Sequence, residues 1–528
     1  MKDLLTVAEA SAFATEYIGM TVTESNISYL IQYGRIDRIV NNGIVYIDQN
    51  QLTSYYKSYK RKKEIEWKTV LGDDINWELS FDGYRESDTT KHVHRLHPYK
   101  GKYIPQLVEY FLDNHVDAFK KEVYFHPNDI VLDPFCGSGT TLVQASEMGM
   151  HAIGIDISSF NAQISNCKIE NYDIELLKRE IDRITALLED FEGALNIKAF
   201  EDELLEKLYV FNSKYFPSPE FKKMVYRKEV SEKTYGEEKA KMFLPIYKEL
   251  AEKYGVSLKI SEQSFLDKWY FETARREIHF ANKLIEEAPN EETKHILQII
   301  LSRTMRSCRA TTHSDLATLI EPVYTTYYCV KHKKICKPLF SILKWWKTYS
   351  QDTIKRIDEF SKLRTNTQQH CFVANSATVN ISKCISTMGG NISDIYNKSK
   401  IKGIFCSPPY VGLIDYHEQH AYAYELLGLP RNDELEIGSM KKGNTRVARQ
   451  KYVEDVSAVL INCKKYLMED YEVFIVANDK FGLYQEIAKR AGMIIVEQFK
   501  RPVLNRTEKD KNAYSEIIFR MKEDKSHA

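Results

Sequence analysis

Two turns of unusual composition, far apart in the chain, set what this sequence can fold into. Asp133-Pro134-Phe135-Cys136-Gly137-Ser138-Gly139-Thr140-Thr141 follows a β-rich apolar run at 129–132 and opens a helical stretch at 140–148. Two glycines in a βα turn tolerate positive φ, let a ligand approach the backbone and present helix N-terminal N–H groups to its polar or anionic parts. Asp156 ends the next β-rich run at 151–155, the place from which a carboxylate in a Rossmann-like domain accepts ribose hydroxyls. The second turn, Cys406-Ser407-Pro408-Pro409-Tyr410, closes the run 403–406. It exposes a hydroxyl, a carbonyl followed by proline, and an aromatic face. Further runs at 473–477, 493–497 and 515–520 alternate with helical stretches, so one α/β domain is split by the mostly charged, helical residues 173–370.

At 528 residues the chain is too long for one core. Its 74 Lys and Arg balance 74 Asp and Glu, so any surface for a polyanion is local. The longest apolar run, Val473-Phe474-Ile475-Val476-Ala477, is far shorter than the roughly 20 residues of a membrane span. No membrane association is expected. Met1-Lys2-Asp3-Leu4-Leu5-Thr6 lacks the apolar stretch of a secretory signal and nine cysteines are too sparse for a disulfide scaffold, so a cytoplasmic protein is expected.

Residues 1–63 read as a separate module. Thr6 with Glu9, Thr21 with Glu24 and Asp48 with Gln51 have capping-box spacing, and Ile36 to Ile47 reads as a hairpin turning at Asn42-Gly43. Helix, helix, hairpin, helix resembles the winged helix-turn-helix of excisionase and MerR-type proteins. That resemblance implies a helix at 24–33 in a DNA major groove and the hairpin as wing, with Lys57, Lys60, Arg61, Lys62 and Lys63 extending a basic strip. Residues 64–90 read as a linker with an edge strand around 77–81.

The hydroxyl, carbonyl and ring of the second turn suit a base bearing an exocyclic amine: two acceptors for its hydrogens and a face to stack on. Both turns together, at strand ends, resemble the S-adenosylmethionine-dependent DNA amino-methyltransferases, which methylate N4 of cytosine or N6 of adenine. The resemblance covers 91–172, the cofactor half, and 371–528, the catalytic half, and implies a Rossmann-like class I methyltransferase sheet. It implies cofactor contacts from Asp133, Pro134, Phe135, Gly137, Gly139, Thr140, Asp156 and Ser376, and catalysis by Ser407, Pro408, Pro409 and Tyr410. Asn375-Ser376 stands where many members carry Gly-Asp. His97 to Pro105 resembles the segment holding the methionine end, and Asn505-Arg506-Thr507 with 514–519 resembles the closing hairpin. The insert 173–370 takes the place of a target-recognition domain. The serine variant of the turn points to N4 of cytosine in duplex DNA, within a restriction-modification system that includes a cognate endonuclease. Adenine N6 is the alternative, and a DNA-binding regulator with a degenerate methylase fold is the second. Carbon-5 methylation needs a Pro-Cys nucleophile, which the chain lacks; Cys406 is expected to be a buried, inert thiol.

Cys329-x2-His332-x3-Cys336, with Cys308 or His313 upstream, has ligand-like spacing for zinc. Neighbouring Tyr327, Tyr328, Ile335 and Leu339 equally suit a core, so no metal site is assigned. Arg303, Arg306, Arg309, Lys331, Lys333, Lys334 and Lys337, and separately Lys222, Lys223, Arg227 and Lys228, offer phosphate contacts or solvated faces.

Overall fold

The computed structural model describes residues 4–18, 21–32, 35–41, 43–194, 197–258, 263–315, 319–504 and 512–525, with backbone alone at 57–65. Its strands are β1 (Leu4–Thr6), β2 (Ile39–Asn41), β3 (Ile44–Asp48), β4 (Ile130–Asp133), β5 (His151–Asp156), β6 (Tyr327–Cys329), β7 (Lys334–Cys336), β8 (Gln369–Val373), β9 (Ile401–Cys406), β10 (Leu467–Ala477), β11 (Met493–Pro502) and β12 (Ser515–Glu523). Two compact units divide the chain, one from 1–72, 187–278 and 306–343, the other from 73–186, 279–305 and 344–528. Their limits fall inside 173–370 as well as near the end of the N-terminal module.

The larger unit is built on a seven-stranded sheet of order β11-β12-β10-β9-β4-β5-β8. Strands β10, β9, β4, β5 and β8 run parallel, whereas β12 pairs antiparallel with both β10 and β11. This mixed, mostly parallel sheet fits the class I methyltransferase fold. Central parallel strands are covered on both faces and therefore read as continuous apolar runs. Ile130, Leu132, Ile153, Ile155, Ile404, Val473 and Ile475 are all buried in one cluster. From β4 the chain builds outward through β5 and β8 on one side, and later through β9 and β10 on the other. The crevice at such a switch point, beyond the strand C-termini, is where open α/β sheets bind ligands.

Two local expectations change in this unit. The strand expected around 77–81 is a single 3-10 turn, Glu78–Ser80, because the Asn76 side chain accepts from the N–H groups of Glu78 and Leu79 at 3.1 and 3.4 Å and curls the backbone. One strand-like bond survives, from Asn76 N–H to the Lys500 carbonyl of β11 at 2.7 Å. In the sequence, His97 to Tyr110 reads as a Pro- and Gly-marked helix start; the helix instead runs Pro105–Leu112. Proline holds the preceding Ile104 extended, at ψ 148°, leaving 97–104 as irregular chain.

In the smaller unit, helices Val7–Ile18, Glu24–Gln32 and Gln49–Leu71 accompany an antiparallel sheet of order β1-β3-β2. Ala10, Ala14, Ile27, Ile31, Ile47 and Leu52 form its core. Thr6 and Glu9 answer each other at 2.8 and 3.3 Å. The second cap is Thr23 with Asn26, at 2.9 and 3.2 Å, rather than Thr21 with Glu24; an Asn carbonyl serves where a Glu was expected. Asp48 caps Gln51 N–H at 2.9 Å, while the Gln51 side chain turns to Asp37 N–H at 2.7 Å. Asn42 and Tyr33 lie outside the described residues. Helices Ile197–Tyr215 and Glu232–Lys253 and the β6–β7 hairpin enclose a second core around Phe200, Phe243, Tyr247 and Phe340.

Ile404 is fully buried at the centre of the large sheet and Ile39 is 41 % exposed on the small hairpin. Ile404→Ala is expected to lower stability by about 2–5 kcal/mol and Ile39→Ala by no more than about 0.5 kcal/mol, read by urea-induced unfolding.

Candidate active site

The crevice is walled by the turns after β4, β5, β8 and β9 and covered by residues near Tyr416 and Glu436. Asp133, fully buried, accepts from Phe135 N–H and from the Tyr103 hydroxyl, both at 3.1 Å. Tyr103 also meets the Thr141 hydroxyl. Burial pushes the Asp133 carboxyl up to about 7, as expected for a carboxyl removed from water. Asp133 thus shapes the turn from beneath through Phe135 and Tyr103.

Gly137 and Gly139 adopt φ of +53° and +72°, in the region that favours glycine. A Cβ on Gly137 would lie 2.9 Å from the Tyr99 hydroxyl, and one on Gly139 the same distance from the Ser165 Cβ. Crowding at Gly137 therefore comes first from Tyr99. The Asp156 carboxylate accepts from Gly137 N–H at 2.7 Å, Ser158 N–H at 2.8 Å and the Asn161 amide at 3.2 Å. Burial nevertheless raises its pKa to about 6 against those bonds. Beneath the turn the fully buried Lys168 donates to the Ser138 carbonyl, and burial depresses its pKa well below the ordinary lysine value.

Ser376 lies after β8, and its hydroxyl donates to the Pro134 carbonyl at 2.6 Å. Its side chain is thereby committed to the turn, and Asn375 caps its own loop through Ala377 N–H at 2.9 Å. Phe135 and Thr140 line the crevice with Pro134 and Gly137.

Across the crevice the Ser407 hydroxyl donates to the Val476 carbonyl of β10 at 2.9 Å. Its one proton is used there, so its lone pairs are available only as acceptors. The Tyr410 hydroxyl donates to Glu516 of β12 at 2.9 Å, fixing the ring. Pro409 lines the crevice beside Ser407. Cys406 is fully buried, and burial holds its thiol well above the usual range.

Several neighbours escaped the sequence reading. Tyr99 stacks on Tyr416, centroids 5.6 Å apart. His417 pairs with Glu436. Arg501, 3 % exposed and facing Glu516 in strand register, has no hydrogen-bond partner for Nε or Nη1 among the described residues. Only the segment 97–105 hinted at any of these. Asn505, Arg506 and Thr507 lie outside the described residues.

The basic clusters are largely spent on internal partners. Arg303 meets Asp352 at 2.6 Å, Arg309 donates to the Arg306 carbonyl at 3.0 Å, Lys333 meets Glu232 at 2.6 Å and Lys337 meets Glu201. Arg227 bonds Asp37 at 3.1 Å. The side chains of Lys57, Lys60, Arg61, Lys62 and Lys63 lie outside the described residues. Cys308 is buried apart from the other sulfurs, directed at the Ser341 carbonyl at 3.9 Å, while Cys329, His332 and Cys336 come together with His313.

A model of the DNA methylase family matches residues 14–166. The chain is 47% identical to the Type II methyltransferase M.MjaII of Methanocaldococcus jannaschii over 526 residues, 99% of this chain and 97% of that one. It is 31% identical over 113 residues to the Type II methyltransferase M.MvaI of Kocuria varians, covering 21% of this chain and 23% of that one. It is 32% identical over 114 residues to M2.DpnII of Streptococcus pneumoniae, covering 21% and 40%. No solved structure gives a significant match. Among the described residues no helix is long and apolar enough to cross a membrane. Identity sustained over nearly the whole of both chains shows that this protein belongs to the Type II DNA methyltransferases, enzymes of restriction-modification systems.

Proposed function

We propose that the protein methylates the N4 amine of cytosine at a specific site in duplex DNA, using S-adenosylmethionine, beside a cognate restriction endonuclease. The observation that carries this reading is the Ser407 hydroxyl, turned into a pure acceptor by its bond to Val476. The crevice suits the cofactor: Asn161 Oδ1 and Ser138 Oγ are buried along it without hydrogen-bond partners among the described residues, and Asp156 presents a carboxylate at the strand end. Phe135, Gly137, Gly139, Thr140 and Asp156 would hold it, with Asp133 and Ser376 fixing the turn through Phe135 and Pro134. When bound, S-adenosylmethionine supplies an electrophilic methyl group on a sulfonium.

An aromatic amine is a poor nucleophile because its lone pair is delocalised into the ring. Ser407 Oγ and the Pro408 carbonyl would accept its two hydrogens and orient the nitrogen for direct attack on the methyl carbon as the carbon–sulfur bond breaks, an effect of proximity and electrostatics. One of those two protons then leaves the nitrogen along its acceptor bond. Pro408 and Pro409 stiffen that loop. The amine is buried in duplex DNA, so the base must leave the stack, and Tyr410, held by Glu516, would stack on it. With Cys406 sealed in the core, no covalent adduct is involved. The serine at the head of the turn supports cytosine as the base. In the N-terminal module the helix Glu24–Gln32 leaves Ser25, Ser28 and Tyr29 exposed while burying Ile27 and Ile31. Those exposed residues would enter the major groove with the β2–β3 hairpin as wing.

Ser407→Ala and Tyr410→Ala are expected to lower kcat by about 100- to 1,000-fold, with cofactor affinity nearly unchanged, in single-turnover assays on DNA. Nucleoside analysis of the product by mass spectrometry is expected to give N4-methylcytosine; N6-methyladenine would overturn the base, and 5-methylcytosine the mechanism.

Ribose hydroxyls donate to a carboxylate, and the free Asp156 carboxyl takes up a proton as pH falls through about 6. Cofactor affinity should therefore be flat above that value and fall by up to about tenfold per pH unit below it. Calorimetry on Asp156→Asn should give weaker binding that has lost this component of the slope.

Ser28→Ala with Tyr29→Ala is expected to weaken binding to the cognate duplex while leaving cofactor affinity intact. Equal DNA affinity in a filter-binding assay would show that the module serves another purpose.

A further inference from the structure

The β6–β7 hairpin of the smaller unit carries a cluster that the methyl-transfer reading does not use. Cys329 ends β6, Cys336 ends β7, His332 lies in the turn between them and His313 lies upstream. One ligand atom from each of the four lies within 4.8 Å of the others. Tetrahedral zinc, with Zn–S of about 2.3 Å and Zn–N of about 2.0 Å, separates neighbouring donors by roughly 3.3–3.8 Å. Cys329 Sγ lies 3.6 Å from His313 Nδ1, and His332 Nδ1 lies 3.4 Å from Cys336 Sγ. Both distances fall on the edge of such a tetrahedron.

The backbone is shaped for the same end. The His332 N–H donates to Cys329 Sγ at 3.4 Å, a bond that favours thiolate over thiol. Lys333 adopts φ of +55° and its N–H closes the turn on the Cys329 carbonyl at 2.7 Å, bringing His332 back over the sulfur. A non-glycine residue at positive φ persists where its surroundings hold it; here Lys333 is anchored to Glu232 at 2.6 Å. The donors are supported from outside as well. Asn212 pairs with both the N–H and the carbonyl of Ile335, at 2.9 and 3.0 Å. The Tyr327 hydroxyl, 2.8 Å from His313 Nδ1, is also held by His313 N–H at 3.3 Å, so it has a partner when that nitrogen binds metal. Ile335 anchors the hairpin in the core around Phe200 and Phe243, and a four-ligand metal would add a constraint on the turn that carries the donors. The other donor group among the described residues, His92, His94 and Glu147, offers three ligands, and its carboxylate is already neutralised by Lys91 at 2.7 Å.

We propose that His313, Cys329, His332 and Cys336 bind one structural zinc ion that fixes the β6–β7 hairpin. Four protein ligands close the coordination sphere, leaving no open position for catalysis. The proposal goes beyond the reading of the active site and does not rest on it.

The test uses the full-length protein, purified without added metal and exchanged into metal-free buffer. Elemental analysis by mass spectrometry should find about one zinc per chain. Cys336→Ser and His313→Ala should lose most of it, whereas Cys308→Ser should keep it. In the wild-type chain, two thiols should resist a thiol-reactive dye until a chelator is added. Cobalt added after removal of zinc should give thiolate-to-metal charge-transfer absorption and the intense visible bands of a tetrahedral site. The last two readouts need no variant to fold. A metal-free, folded wild-type chain with these thiols freely reactive, or cobalt without tetrahedral bands, would overturn the proposal.

Discussion

The pairing of β4 with β9 organises the larger unit. Val131 and Leu132 sit opposite Gly403 and Ile404, so strands from the two halves of the chain become neighbours at the centre of one sheet. By that register Asp133 comes level with Phe405, one residue before Cys406, so the two turns leave the sheet as neighbours and the crevice follows from their adjacency. A shift of one residue in this register would turn every side chain of one strand to the opposite face. Ile404 packs with Leu132 and Ile153 on one face while Phe405 meets Phe111 and Phe474 on the other, so core packing fixes the geometry of the site.

Above that sheet the glycine turn is held by polar bonds from several directions. Asp133 and Tyr103 hold it from below, Lys168 through the Ser138 carbonyl, Asp156 through Gly137 N–H and Ser376 through the Pro134 carbonyl. Thr141 in the following helix donates to the Phe405 carbonyl at 3.3 Å, tying that helix to the strand leading into the proline turn. The two turns are therefore joined by protein bonds, and their polar groups are fixed relative to one another before any ligand enters. Such preorganisation is how an active site lowers a barrier without reorganising at the moment of reaction.

The sheet was legible because its parallel strands are buried on both faces and their sequences run apolar without interruption. The site turns were legible because glycine and proline are constrained by local backbone geometry. What escaped depends on partners distant in sequence. A run of lysines and arginines does not reveal that Glu201, Glu232 and Asp352 come to meet it. Spacing could not choose between Cys308 and His313, because the described residues 309–315 and 319–326 form neither helix nor strand and carry no period to project. The strand expected around 77–81 failed to a single Asn76 side chain, and the second helix cap moved by two residues because the segment offers two threonines with suitable acceptors. Arg501 gave no signal, since a lone arginine in a strand reads as an edge residue until β12 and Tyr410 are placed beside it.

Central pairing between such distant segments also governs how the molecule is made. Strands β4 and β5 leave the ribosome long before β9 is synthesised. At roughly 5–20 residues per second the interval between Leu132 and Ile404 lasts on the order of fifteen to fifty seconds. For that time one edge of β4 is unpaired and its apolar faces are incompletely covered, the condition in which strands join the wrong neighbour. The helices at Ile174–Ala194 and Glu291–Cys308 emerge within that window. Yield from an expressing cell should thus depend on translation speed and chaperone supply as much as on the final stability of the fold.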